Sequence, residues 1–151
     1  MIVSYSNFLN KREVDYFLNL YSDEREEYIG EEGIYKFYHN DLIGRKLETL
    51  KFKNYNFTKF RIQKVNEKIT QVPNTHKHGN PWSFVIFLNT DYLGGELIFN
   101  STSFTPESGK MVYFSGDERH KVQNCIGDRY TLVGFMLNNP MRVNNTEGNA
   151  I

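Results

Sequence analysis

Along the first third of the chain, apolar residues return every three or four positions. Beyond residue 57 they come in short dense runs. Val14, Phe17, Leu18 and Tyr21 form one stripe at helical spacing. Asn10 precedes the stripe and Glu13 follows three residues later, the pattern of a reciprocal helix cap. A helix is therefore expected to open at Asn10, behind a short extended segment over 2–9. A second helix is expected after a cap at Asp41, with Ile43, Leu47 and Leu50 as its apolar face. Residues 23–32 are acidic, contain Gly30 and read as a loop.

The later pattern predicts strands. Residues 57–66 are rich in strand formers, and 82–89 is a nearly continuous apolar run, as in a strand buried on both faces. Gly94 and Gly95 bend the chain before 96–99, and 106–109 turns it before 110–114. Segments 119–124 and 129–137 flank the connection Cys125-Ile126-Gly127-Asp128 and read as a hairpin. Short strands after a helical start predict a mainly β (α+β) fold, with N-terminal helices packed on one sheet of a sandwich or barrel. Residues 1–137 are expected to form one domain. Residues 138–151 are rich in Asn and expected to fray as a flexible tail.

Composition narrows the partners. Eighteen basic residues balance eighteen acidic ones, so the total shows no surplus of charge for neutralising phosphates. The single cysteine, Cys125, excludes an intramolecular disulfide and points to a reducing compartment. The start carries no basic region followed by an apolar stretch, and no apolar run approaches the roughly 20 residues that span a bilayer. A cytoplasmic protein without a membrane anchor is expected.

Chemistry concentrates in the β half. On a strand, His76 and His78 would point to the same face and could present two imidazoles to one metal. Alone, the pair reads better as exposed polar residues beside a proline-rich loop. His120 would add a third ligand from a distant strand, leaving one face of an octahedral iron open. Its structural alternative is a core histidine satisfied by a hydrogen bond. Arg129 stands nine positions after His120. If Asn124 paired with Arg129 across the hairpin, His120 and Arg129 would share a face with Thr131 and Val133. Four strand residues span about 13 Å, and an arginine reaching back about 6 Å would leave roughly 7 Å, about the length of a five-carbon diacid. A guanidinium binds a carboxylate through two parallel hydrogen bonds. The alternative is a surface arginine at a hairpin end.

Several segments then combine. They are Asn-Thr-His-Lys-His-Gly-Asn-Pro-Trp-Ser-Phe-Val-Ile-Phe-Leu-Asn (74–89), Tyr-Leu-Gly-Gly-Glu-Leu-Ile-Phe (92–99), Gly-Lys-Met-Val-Tyr-Phe (109–114), His-Lys-Val (120–122) and Gly-Asp-Arg-Tyr-Thr (127–131). In this order and spacing the chain resembles the iron(II)- and 2-oxoglutarate-dependent oxygenases, in particular the prolyl-4-hydroxylase branch. The resemblance covers roughly residues 58–137. It implies a double-stranded β-helix (a jelly-roll or cupin-like barrel), iron(II), 2-oxoglutarate as cosubstrate, dioxygen, and hydroxylation of a small-molecule or peptidyl substrate. It implies His120 as the distal iron ligand and Arg129 as the anchor of the far carboxylate of 2-oxoglutarate. Thr131 would help that anchor, and Ser83, Phe87 and Val65 would line the cosubstrate pocket.

The chain departs from the family at the first motif, His-x-Asp or His-x-Glu, where it has His76-Lys77-His78. With His76 as first ligand, His78 takes the acid's place and the site has three histidines. With His78 first, Asn80 takes it, a much poorer ligand. The count from the preceding strand favours His76. Two other classes stay open. One is a cupin-like metal enzyme that does not use 2-oxoglutarate, although no Glu closely follows His78. The other is a non-catalytic binding module on the same barrel. Substrate choice is expected to lie in the loops 23–40, 67–82 and 100–108. Trp82 is expected at a packing or rim position, Glu96 on a strand face, His39 in solvent, and Cys125 in the hairpin turn.

Overall fold

The computed structural model describes residues 1–23, 28–30, 33–38, 41–49, 52–53, 60–68, 82–136 and 141–142. The chain opens with strand β1 (Ile2–Tyr5) and helix α1 (Lys11–Asp23). The cap forms as its spacing requires. Asn10 Oδ1 accepts from the Glu13 N–H and Glu13 Oε1 accepts from the Asn10 N–H, each at 2.9 Å. Val14, Phe17 and Tyr21 are buried, with Leu18 packed beside them.

Strands β2 (Tyr28–Gly30) and β3 (Gly33–Tyr38) then pair antiparallel, Gly30 opposite Gly33. The loop expected over 23–32 therefore contains a strand. Its acidic residues hid the strand formers Tyr28 and Ile29. Helix α2 (Asp41–Thr49) begins at Asp41 itself and buries Ile43 and Leu47, while Leu50 lies outside the described residues. Lys46 donates to Glu13 Oε1 at 2.8 Å and ties the two helices together.

The remaining elements are short strands: β4 (Phe52–Lys53), β5 (Phe60–Val65), β6 (Trp82–Phe87), β7 (Leu93–Gly94), β8 (Leu97–Phe99) and β9 (Ser103–Phe104). They continue with β10 (Met111–Ser115), β11 (His120–Val122), β12 (Cys125–Ile126), β13 (Arg129–Met136) and β14 (Met141–Arg142). Seven form the major sheet, in the order β1-β10-β6-β13-β5-β3-β2. Opposite it lie the three-stranded sheet β11-β8-β9 and the ribbon β12-β7. Within the Asn-rich segment, Met141 and Arg142 pair with β4, and the rest of 138–151 lies outside the described residues. Among the described residues no helix is long and apolar enough to cross a membrane.

The major sheet separates two cores. On one face Phe60, Ile62, Phe84, Ile86, Met111, Tyr113 and Leu132 pack against α1 and α2. On the other, Val85, Phe87, Val112, Phe114 and Val133 meet Leu97 and Phe99 of the small sheet. This is why β6 reads as a continuous apolar run: both its faces are covered. Each fully buried Phe or Leu contributes about 1.5–3 kcal/mol. Trp82 belongs to the helix side, where it stacks on Tyr113 with centroids 5.0 Å apart.

One expectation is overturned. The segments flanking Cys125–Asp128 do not form a hairpin. β11 pairs with β8, β12 pairs with β7, and β13 pairs with β5 and β6. Cys125 is a buried strand residue opposite Gly94, not part of a turn. The chain leaves the small sheet there and crosses to the major one through Gly127, whose φ of 99° suits a glycine. The register assumed between Asn124 and Arg129 does not exist.

Candidate active site

Arg129 is the largest fully buried side chain, with 1% of its surface exposed. It opens the central strand β13, opposite Val65 of β5. Its Nε donates to the Gly95 carbonyl at 3.0 Å, and its guanidinium carbon lies 5.5 Å from the centre of the Phe87 ring. Among the described residues no carboxylate pairs with it. Burial pushes its pKa down, partly offset by Tyr92 and Cys125 nearby. The group stays charged all the same, since arginine keeps its proton in proteins.

Gly95 makes this placement possible. Its φ is +76°, and an added Cβ would stand 2.7 Å from Tyr92 Cε2 and 3.0 Å from Arg129 Cδ. Two buried oxygens belong to the same neighbourhood. Thr131 follows Arg129 by two on the strand, so it shares that face, and it sits opposite Phe87. Among the described residues its Oγ1 has no hydrogen-bond partner, and the Tyr92 hydroxyl, which faces the Arg129 guanidinium, has no acceptor for its proton. Burial pushes the Tyr92 phenol up to about 12, against the pull of the Arg129 charge. A buried cation with no counter-ion among the described residues, beside two hydroxyls with protons to donate, is chemically suited to an anion.

His120 borders the same inter-sheet space further along. It is buried on β11, opposite Phe99. Its ring packs on Phe114, with centroids 4.7 Å apart, and lies 5.7 Å from that of Phe99. Nδ1 lies 3.0 Å from the Glu118 carbonyl. A proton on Nδ1, donated to that carbonyl, leaves Nε2 as the lone-pair nitrogen, the tautomer a metal ligand needs.

The structure sorts the expected pocket residues into two groups. Val65, Phe87 and Thr131 gather at the Arg129 end. Ser83 is fully buried on the same face as Phe87, but four residues along β6, about 13 Å away. It stands opposite Phe114 and so at the His120 end. His76, His78, Asn80 and His39 lie outside the described residues. From the sequence, Tyr92 and the Glu118 carbonyl have no expected role, and Gly95 only that of a bend. Tyr92 stands in the quoted Tyr-Leu-Gly-Gly motif, but only its position beside Arg129 gives it meaning.

Arg129 is held by a strapped turn. The Gly127 N–H donates to the Glu67 carboxylate at 2.7 Å, which holds Glu67 below its usual pKa. Asn66 bonds Asp128 at 2.9 Å. Asn89 donates to the Asp128 carbonyl and accepts from the Tyr130 N–H, both at 2.8 Å. The residues on either side of Arg129 are thereby tied to β5 and to the end of β6.

Fold and site together define a double-stranded β-helix with an anion seat between its sheets. The family description "2OG-Fe(II) oxygenase superfamily" matches residues 51–137, more than half of the sequence. The chain belongs to that superfamily, whose members use iron(II) and 2-oxoglutarate. The architecture is similar to a viral collagen prolyl hydroxylase from Paramecium bursaria chlorella virus-1, solved with 2OG, at a TM-score of 0.69 and 14% identity over 89% of this chain and 94% of that one. A 2OG-Fe(II) oxygenase family oxidoreductase from Burkholderia pseudomallei gives 0.71 and 15% over 94% and 88%. A Trichoplax adhaerens prolyl hydroxylase, in complex with a peptide fragment of hypoxia inducible factor, gives 0.68 and 15% over 90% and 83%. Comparison with curated protein sequences gives no match.

Proposed function

We propose that this chain is a prolyl-4-hydroxylase-type oxygenase whose 2-oxoglutarate is seated on Arg129 and whose iron is held by His76, His78 and His120. The observation that carries the reading is Arg129, fully buried and without a carboxylate partner among the described residues. Neither a cupin that does without 2-oxoglutarate nor an inert module has a reason to keep such a charge. The group that binds there in this family couples oxidative decarboxylation of 2-oxoglutarate at iron(II) to hydroxylation of a second substrate.

The residues of this chain do the positioning. Arg129 holds the far carboxylate through the guanidinium nitrogens that Gly95 leaves available, and Thr131 supplies a hydroxyl to it. Phe87 and Val65 wall that end and keep water out, which strengthens the charge contact. Ser83, beside Phe114, lines the pocket's metal end. The Glu118 carbonyl orients the His120 ring. Three neutral imidazoles carry one negative charge fewer than the usual histidine–acid set, so metal binding depends more on the charge of the cosubstrate.

A peptidyl prolyl substrate is the favoured class. The fold is shared with prolyl hydroxylases, one of them bound to a peptide. Residues 1–137 form the catalytic domain in this reading. The lone cysteine, buried and free, fits a cytoplasmic setting.

The test is anaerobic addition of iron(II) and 2-oxoglutarate, watching for the visible charge-transfer band of the chelate. The band is expected in the native chain, weakened in Arg129→Ala and lost in His120→Ala. Metal binding without the band supports the cupin reading, and neither signal supports the inert module. A band of full strength in His120→Ala overturns the ligand assignment.

A further inference from the structure

Tyr92 has no role in the reading above, yet its hydroxyl lies buried beside the anion seat. Resting on Arg129 as the seat of a carboxylate, we propose that the Tyr92 phenol is a further donor to that same carboxylate and sets its affinity.

Three observations carry this. Tyr92 and Arg129 meet at Gly95, within 2.7 Å and 3.0 Å of the point where a Cβ would stand, so the ring edge and the arginine stem are neighbours. The hydroxyl is buried and faces the Arg129 guanidinium, which can only donate to it, so its own proton has no acceptor among the described residues, a state that proteins rarely leave uncompensated. And Nε of Arg129 is already committed to the Gly95 carbonyl, so an incoming anion must use the other guanidinium nitrogens.

Donor and acceptor counts then match. A carboxylate offers about four lone-pair directions. The guanidinium nitrogens can fill two, and the hydroxyls of Thr131 and Tyr92 remain for the others. All of these groups donate, and an ionised carboxylate only accepts. The charge of the guanidinium favours the ionised acid over a neutral amide. Tyr92 is fixed for the task. Its Cβ lies 3.1 Å from where a Gly127 Cβ would stand, which packs it against the turn before Arg129. Its raised pKa keeps the phenol protonated throughout the physiological range.

Tyr92→Phe removes only the oxygen. Calorimetry would measure 2-oxoglutarate binding to the iron(II)-loaded chain under anoxia, and thermal unfolding would follow the metal-free, unliganded chain. We expect the Kd to rise about tenfold or more, as for a lost hydrogen bond to a charged group. The unliganded melting temperature should change little, because the phenol proton has no acceptor to lose among the described residues. A Kd within twofold of the native value overturns the proposal. So does a weakened Kd accompanied by a lower unliganded melting temperature, which marks Tyr92 as packing. If Arg129→Met abolishes binding while Tyr92→Phe leaves it intact, the inference falls and the function stands. If the native chain does not bind 2-oxoglutarate, both fall.

Discussion

Replacing Arg129 with methionine should make the unliganded protein more stable. The guanidinium is fully buried, and desolvating such an ion costs several kcal/mol. Two contacts offset part of this. The bond to the Gly95 carbonyl at 3.0 Å contributes about 1.5–3 kcal/mol, and the Phe87 face at 5.5 Å adds up to ~2 kcal/mol. Methionine has a similar length and no charge. It leaves the Gly95 carbonyl without its donor, a loss of about 1 kcal/mol or more. Apolar replacement of buried ions is commonly stabilising by about 1–4 kcal/mol, and a net gain of about 1–3 kcal/mol is expected here. For a chain of this size that is a rise of roughly 3–10 °C. Thermal unfolding of the unliganded proteins measures it. With iron(II) and 2-oxoglutarate under anoxia the order should change. The native chain gains about 2.7 kcal/mol at a hundredfold excess over Kd, and the variant gains nothing from the diacid's far end. If Arg129→Met melts below the native chain without ligand, the guanidinium has a compensating partner and the argument for an anion seat fails.

Two further perturbations probe the frame of the seat. Gly95→Ala forces a left-handed residue and pushes on Tyr92 and Arg129, so about 2–4 kcal/mol of stability and most of the 2-oxoglutarate affinity should be lost. Gly94→Ala would run into the Asn124 carbonyl instead, so denaturant titration should show a comparable loss while calorimetry on the folded fraction shows near-native affinity. Equal affinities in the two variants would contradict the role given to Gly95. For Glu67, the Gly127 N–H holds the folded pKa below 4.5. A depressed carboxyl stabilises above its unfolded pKa and loses that contribution as pH falls through the folded one. The advantage of the native chain over Glu67→Gln should therefore be constant from pH 8 to about 5, begin to fall as the pH approaches 4.5 and vanish only once it is below the folded pKa, read from denaturant midpoints across that range. An advantage that grows on acidification would refute the assignment.

Much of the architecture was legible because single periodicities decide it. The α1 stripe and its capping box were readable from six residues, and both form. The apolar run of β6 announced a strand covered on both faces, and the two cores cover it. What failed was local composition set against pairing. Acidic residues around Tyr28 and Ile29 read as loop, yet β2 gains its place from hydrogen bonds to β3, which composition does not report. The site divides in the same way. Arg129 and Thr131 were readable from a compact motif on one strand, and Phe87 and Val65 join them through register. Tyr92 was not readable, because its proximity to Arg129 arises from a glycine that lacks a Cβ. Ser83 and Phe87 were expected together and share a face of β6, but they lie about 13 Å apart, since a strand carries its same-face residues steadily away from one another.

The hairpin error shows why a correct spacing led to a wrong path. Nine residues separate His120 from Arg129, and nine residues of extended chain reach at most about 30 Å. A folded-back hairpin uses that length once along a single sheet. The chain does something else with it. It follows the small sheet from Phe99, opposite His120, toward Gly95, which holds Arg129, about 13 Å of strand. It then crosses the roughly 10 Å between packed sheets and enters β13 from the far side. Both routes fit inside the reach, so length alone could not choose between them. Pairing partners do choose, because Cys125 and Ile126 bond to Gly94 and Leu93 rather than to β13. The crossing has a consequence that a hairpin could not give. His120 and Arg129 stand on different sheets, His120 on the small one and Arg129 on the major one, so a diacid reaching between them, as proposed, would be enclosed by both sheets instead of lying on one.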